Sequence, residues 1–238
     1  MPSPPPRGCF RAFLFDCDGV LVDAEPLHLR MFQKVLAEEG IALSQREYFE
    51  KYLAMDDRGC FRAVLAEHGR HPEPADVAAL VARKAEYYKT TLGGAAMYPG
   101  VRAFVAACAA RARVALASGS LHSELDFILD STGLRPHFEV VVGADDVQFG
   151  KPHPETYLKA LAGLNAAPPR SGPAGQGMIQ PAECLVIEDS IHGVHSAKNA
   201  GMRCLAVTNS YPADRLSQAD WVVASLEGLD PDALPAAR

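Results

Sequence analysis

Five short apolar runs recur along the chain: "RAFLFD" (11–16), "RVALA" (113–117), "EVVVG" (139–143), "ECLVIE" (183–188) and "RCLAV" (203–207). Each is continuously hydrophobic rather than alternating, as expected of strands buried on both faces of a sheet. "WVVA" (221–224) adds a shorter candidate at an edge. Helical periodicity fills the gaps between the later runs. Leu121, Leu125, Ile128 and Leu129 share one helical face, and Tyr157, Leu158, Leu161 and Leu164 share another. Ser190 suits the start of a third helix and Gly201 its end. Alternation of strand and helix implies right-handed crossovers and a doubly wound parallel sheet, an α/β Rossmann-like core.

The rhythm breaks once. Between the first run and the second, nearly one hundred residues carry no strand pattern, only helical patterns over 26–39, 45–53, 57–68 and 73–92. The interval opens after Val22-Asp23 and closes on "LGGAAMYPG" (92–100), whose glycines and proline suit a hinge. The expected organisation is therefore a core of 10–23 plus 97–238, with residues 24–96 inserted after the first strand as a helical domain. The first nine residues, "MPSPPPRGC", read as a flexible tail, and the Pro/Gly-rich stretch 165–183 as a surface loop.

Composition narrows the class. An apolar fraction of 48% and a charged fraction of 22% are those of a globular protein. A net charge of −6 excludes the basic footprint of a nucleic-acid binder, and no apolar stretch is long enough to span a membrane. The six cysteines show neither CxxC spacing nor pairing with histidine, which argues for buried free thiols and a reducing, cytoplasmic setting. The oligomeric state leaves no trace in the sequence.

In an open parallel sheet, ligands bind beyond the carboxyl ends of the strands. The residues just beyond these runs are polar in a consistent way. The first run ends in Asp16-Cys17-Asp18-Gly19, the second in Ser118-Gly119-Ser120 and the fourth in Glu188-Asp189-Ser190, while Gly150-Lys151-Pro152 comes after the third. Carboxylates, a hydroxyl and an ammonium on one sheet edge point to phosphoryl transfer. Phosphate monoester hydrolysis needs accelerations up to about 10²¹-fold, and general acid–base catalysis supplies only about 10²–10⁴. Asp16 is placed to act as a carboxylate nucleophile and Asp18 as a proton donor and acceptor. Gly19 allows a close backbone approach that would free amides for phosphate oxygens. Asp16, Glu188 and Asp189 together call for a hard cation, and Mg²⁺ fits. Lys151 and Ser118, with Gly119 beside it, would hold the remaining phosphate oxygens. No GxxxxGK[ST] or GxGxxG segment supports a nucleotide-binding module.

"DCDGVLVDAEPLH", "LASGS", "GKPHPE" and "IEDSIHGVHSAKNAG" resemble, in order, the four motifs of the haloacid dehalogenase (HAD) superfamily. The resemblance implies an aspartyl-phosphate on Asp16, acid–base work by Asp18, and phosphoryl binding by Ser118 and Lys151. It also implies Mg²⁺ held by Asp16, the Asp18 backbone carbonyl and Asp189, with Glu188 as a direct or water-mediated ligand. The helical insert matches the cap of the branch containing sugar-phosphate phosphatases and β-phosphoglucomutase. An aspartate at position 18, where dehalogenases of the family lack one, indicates a leaving alkoxide that needs a proton. The implied activity is a phosphatase for a small phosphorylated metabolite. A β-phosphoglucomutase-type phosphomutase is the alternative, and a phosphate-ester binding protein without turnover a distant one.

The mutase reading is weakened by Ala24, where the mutase hinge has a threonine. It is weakened again by "YLAMDDRGCF" (52–61), where Asp57 takes the place of a phosphate-gripping arginine and Arg58 is displaced by one. His28 and Lys84 are further candidate substrate contacts from the insert. A lone helical lysine such as Lys84 is more often a solvated surface charge.

Overall fold

The computed structural model describes residues 10–53, 55–90, 96–168 and 177–231. The expected tail, with Cys9, and positions 169–176 of the expected surface loop lie outside the described residues. The chain divides into two compact units, one of Met1–Asp23 with Ala96–Arg238 and one of Ala24–Ala95.

Along the chain the elements run β1 (Ala12–Phe15), β2 (Val22–Asp23), α1 (Glu25–Glu38), α2 (Gln45–Glu47), α3 (Asp57–Glu67), α4 (Pro74–Thr90), β3 (Ala96–Met97), α5 (Val101–Arg111) and β4 (Arg113–Ala117). They continue as α6 (His122–Thr132), β5 (Val140–Val142), α7 (Glu155–Ala166), β6 (Cys184–Glu188), α8 (Ile191–Asn199), β7 (Arg203–Val207) and β8 (Trp221–Val223).

Six strands form one parallel sheet in the order β5-β4-β1-β6-β7-β8. Every residue of β1 is buried, which explains its unbroken apolar sequence. Ala12 and Leu14 face a cluster with Tyr157, Leu161 and Leu164 of α7 and Val194 and Ala197 of α8. On the alternate positions, Phe15 meets Phe104 of α5 and Phe138 edge-on, with ring centres 6.1 and 5.9 Å away. The strand order reverses at β1, flanked by β4 on one side and β6 on the other, which makes the carboxyl ends of those three strands the natural crevice.

Four features differ from the sequence pattern. The interval between β1 and β4 does contain strands, but β2 and β3 are two residues each, too short to show a period. They pair antiparallel, Val22 with Met97 and Asp23 with Ala96, so Ala96 stands with the core rather than at the end of the insert. Helix α5 has no mark of its own in the pattern, because its Ala-rich "AFVAACAARA" merges with the apolar run of β4. Leu158, assigned to the buried face of α7, is exposed.

The helical unit is built from amphipathic segments. Leu27, His28, Met31, Phe32, Val35 and Leu36 form the buried stripe of α1. Ser44 and Glu47 close a reciprocal capping box at α2, and Asp56 caps α3 by accepting from the Gly59 amide at 2.8 Å. The expected helix over 45–53 is α2 followed by a wider π-type turn at Tyr48–Tyr52, which buries both tyrosines.

Candidate active site

The carboxyl ends of β1, β4 and β6 bring the sequence-predicted core residues together within one unit. Asp16 follows β1 directly and its amide donates to the Ile187 carbonyl at 3.0 Å, which ties the end of β1 to β6. Glu188 closes β6, and Asp189 comes next. One carboxylate oxygen from each of Asp16, Glu188 and Asp189 lies within 4.8 Å of the others, and all three residues are buried. The Lys151 ammonium is 2.8 Å from Asp16 Oδ1 and 2.7 Å from Glu188 Oε1. Ser118, also buried, comes directly after β4 and accepts from the Ser120 amide at 3.2 Å through its hydroxyl oxygen.

The three carboxylates have different surroundings. Glu188 Oε2 accepts from the Asp189 and Ser190 amides and the Ser190 hydroxyl, at 2.8, 2.9 and 3.0 Å. Its Oε1 accepts from Lys151 and from the Tyr157 hydroxyl at 2.9 Å. With five hydrogen bonds, Glu188 anchors Lys151 and the start of α8, and its carboxylate stands with those of Asp16 and Asp189 in the group that could hold a cation. A Cβ at Gly193 would fall on its carboxylate, so the glycine is what admits it. Asp189 Oδ2 accepts from the Ser210 hydroxyl, and Asp18 Oδ2 from the Ser120 hydroxyl.

Burial pushes the Asp16 carboxyl up to about 7, opposed by Lys151 and reinforced by Glu188. Asp189 is raised well above the carboxylate range by burial, Glu188 and Asp16. Burial alone would raise Glu188 as well, but Lys151 and the two amides reverse the sign and hold it low. Lys151 is itself raised: burial disfavours its charge, and Asp16 and Glu188 outweigh that. Three buried carboxylates set against one ammonium are short of positive charge, and a set offering only oxygens suits a hard divalent cation. Asp16, Glu188 and Asp189 are the side chains that could hold such an ion.

The chain matches the haloacid dehalogenase-like hydrolase family over residues 10–201. It belongs to that family. Among its relatives, the protein CbbY of Rhodobacter capsulatus is 30% identical over 236 residues, covering 94% of this chain and 97% of that one. Hexitol phosphatase B of Escherichia coli K12 is 30% identical over 202 residues, covering 82% of each. Among solved structures, CbbY of Rhodobacter sphaeroides in complex with xylulose-(1,5)bisphosphate superimposes with a TM-score of 0.76 at 26% identity, over 92% of this chain and 96% of that one. The fold of β-phosphoglucomutase from Clostridium difficile is also shared, with a TM-score of 0.74 at 21% identity and coverage of 92% and 93%. The protein is thus a HAD hydrolase with named phosphatases among its relatives.

Two expectations for this HAD hydrolase need correction. The Gly19 amide is not free for phosphate, because it donates to the Val22 carbonyl at 2.9 Å. Gly19 is required for another reason: its φ is +77°, and a Cβ there would overlap the Asp189 carboxylate. Gly119 is open instead, with nothing within 4 Å of the point where a Cβ would stand. The second correction lies in the helical unit. Lys84 is no surface charge but wholly buried, with Nζ 2.8 Å from both Asp57 carboxylate oxygens and from His28 Nδ1. Asp57 therefore stands opposite a cation rather than as a bare negative charge, and Lys84 is offset in turn. Arg58 occupies an exposed position on α3.

Sequence reasoning misses Ser120, Tyr157, Asn209 and Ser210 as site residues. Asn209 donates to the Gly19 carbonyl at 2.7 Å. The one available signal for Asn209 and Ser210 is their place just beyond the carboxyl end of β7, next to β6 in the sheet.

Proposed function

We propose that the protein is a Mg²⁺-dependent phosphatase that hydrolyses a small sugar phosphate through an aspartyl-phosphate on Asp16. The carrying observation is the meeting of Asp16, Lys151, Ser118 and Asp189 at three adjacent strand ends, with Asp18 hydrogen-bonded by Ser120. The hexitol phosphatase and CbbY relatives support a phosphorylated sugar or sugar alcohol as substrate class.

In the first step an Asp16 carboxylate oxygen attacks phosphorus and the ester P–O bond breaks. Asp18 gives its proton to the departing alkoxide, so the alcohol leaves neutral. In the second step the Asp18 carboxylate takes a proton from water as that water attacks the phosphorus. The acyl phosphate bond breaks, and Asp16 and inorganic phosphate are released. Lys151 and Ser118 stabilise the non-bridging oxygens in both steps. Mg²⁺ on Asp16, Asp189 and the Asp18 carbonyl would neutralise the charge that gathers there. The unit Ala24–Ala95 is read as a cap that excludes bulk water while Asp18 works.

The pairing of Lys84 with Asp57 favours hydrolysis of a monophosphate over the mutase reaction. A second phosphate needs uncompensated cations, and this one is compensated. Phosphorus NMR of the protein with Mg²⁺, β-glucose 1-phosphate and a trace of glucose 1,6-bisphosphate tests the choice. Inorganic phosphate is expected to accumulate. Conversion to glucose 6-phosphate without inorganic phosphate would overturn the phosphatase reading.

The raised Asp16 carboxyl gives Mg²⁺ binding a pH dependence. In the metal-free fold Asp16 keeps its proton up to about pH 7, whereas in the unfolded chain it loses it near its ordinary value of 3.8. Its contribution to stability therefore declines as pH rises from about 4 to 7, and the full penalty for the buried charge is present above 7. Bound Mg²⁺ removes that penalty, and protons compete with it below 7. Millimolar Mg²⁺ is expected to raise Tm by more at pH 8 than at pH 5.5. An equal or reversed increment in differential scanning fluorimetry would contradict this.

A further inference from the structure

We infer that Asn209 and Ser210, on the loop after β7, form a clamp that presents Asp189 to the divalent cation. The inference rests on the phosphatase reading of the site and adds two positioning residues from a strand end that carries none of the four motifs.

The geometry is local to the core unit. Asp189 has two carboxylate oxygens, and Oδ2 accepts from the Ser210 hydroxyl while both occupy the space that a Cβ at Gly19 would fill. That leaves Oδ1 as the oxygen not held by this clamp. The same loop fixes the other wall of the contact, because the neighbouring Asn209 side chain donates to the Gly19 carbonyl at 2.7 Å. Gly19 continues the turn that carries Asp18, and its amide is closed onto Val22. One dipeptide thus sets both a metal carboxylate and the turn it packs against. Asp189 is 4% exposed, so its carboxylate is shielded from the water that would otherwise compete for Oδ2. Without the hydroxyl, Oδ2 would be a buried acceptor beside Glu188 and Asp16 with no hydrogen-bond donor among the described residues. The carboxylate would then be expected to rotate away from its neighbours or toward Lys151, out of register with Asp16. Groups that orient a metal ligand in this way are worth about 10–100-fold in metal affinity.

The test is isothermal titration of the full chain with Mg²⁺, repeated with Mn²⁺, using wild type, Ser210→Ala and Ser210→Thr, with no substrate present. Ser210→Ala is expected to weaken binding by about 10-fold or more, and Ser210→Thr, which keeps the hydroxyl, to bind close to wild type. The Tm of each variant without metal shows whether the fold is intact. Should Ser210→Ala not fold, Asn209→Ala carries the test, with a smaller loss expected because it loosens only the Gly19 wall. Affinity equal to or tighter than wild type in a folded Ser210→Ala protein would overturn the clamp and leave the phosphatase reading standing. No binding of either metal by the wild type would overturn both. Loss of affinity in Ser210→Thr equal to that in Ser210→Ala would also overturn it, since the hydroxyl would not be what matters.

Discussion

Asp16→Asn is expected to cut phosphate release by on the order of 10⁴-fold or more while leaving the metal-free fold as stable as wild type, or more so. The two halves have one cause. The carboxylate that attacks phosphorus is buried with Glu188 and Asp189, and its ionisation is resisted until about pH 7. An amide of nearly the same shape cannot form the acyl phosphate, yet it also carries no charge into the cluster. Lys151 loses one of its two carboxylate partners and keeps Glu188. The difference should grow with pH, because the wild-type penalty is fully developed only above about 7. Steady-state phosphate release and thermal melts at pH 5.5 and pH 8 measure both effects. A variant that loses activity only by unfolding, or one that keeps wild-type turnover, would remove Asp16 from the nucleophile's role.

Gly193→Ala is expected to destabilise the core unit severely for the addition of a single methyl group. In an ordinary exposed helix the change would stabilise by about 1 kcal/mol. Here the new Cβ would land on the Glu188 carboxylate, which is fully buried. Glu188 is not a flexible end that can swing aside, since five hydrogen bonds hold it, one from Lys151. Displacing it leaves a buried ammonium and a buried carboxylate mismatched, a fault worth about 3–5 kcal/mol when one partner of a buried pair is lost. For a chain of this size each kcal/mol moves Tm by roughly 2–4 °C, so a fall of about 6–20 °C is expected. Activity should fall too, through the loosened Lys151. A melt within about 2 °C of wild type, the shift of less than one kcal/mol, would show that the start of α8 has more room than the structure gives it.

These two residues show what the sequence makes legible. Asp16 stands out because a charged side chain follows a four-residue strand buried at every position, and the same contrast marks Glu188 at the end of β6. Strand ends are where burial stops, so chemistry placed there interrupts an otherwise continuous apolar run. Gly193 carries no such mark; a glycine in a helix reads as a weak point until the carboxylate beneath it is seen. Ser120, Asn209 and Ser210 are hidden for a related reason. Single hydroxyls and amides in loops have no period, and turn-rich sequence contains many. The Lys84 cluster lies further out of reach, because its partners are 27 and 56 residues away along the chain and no local spacing joins them. Helix α5 is hidden by composition, and the two-residue strands by their length.

The smallest sheet has the widest consequence. Val22–Asp23 and Ala96–Met97 run side by side as an antiparallel pair, so the chain leaves the core and comes back to it through adjacent residues. To the six-stranded sheet, the whole unit Ala24–Ala95 between them is topologically a hairpin turn. The entropy of closing a segment between two fixed ends grows only slowly with its length. A longer, shorter or quite different module grafted between Asp23 and Ala96 would therefore leave the main sheet's register and strand order untouched. The helical unit and the six-stranded core are in this way separable pieces of one gene product, free to diverge at different rates.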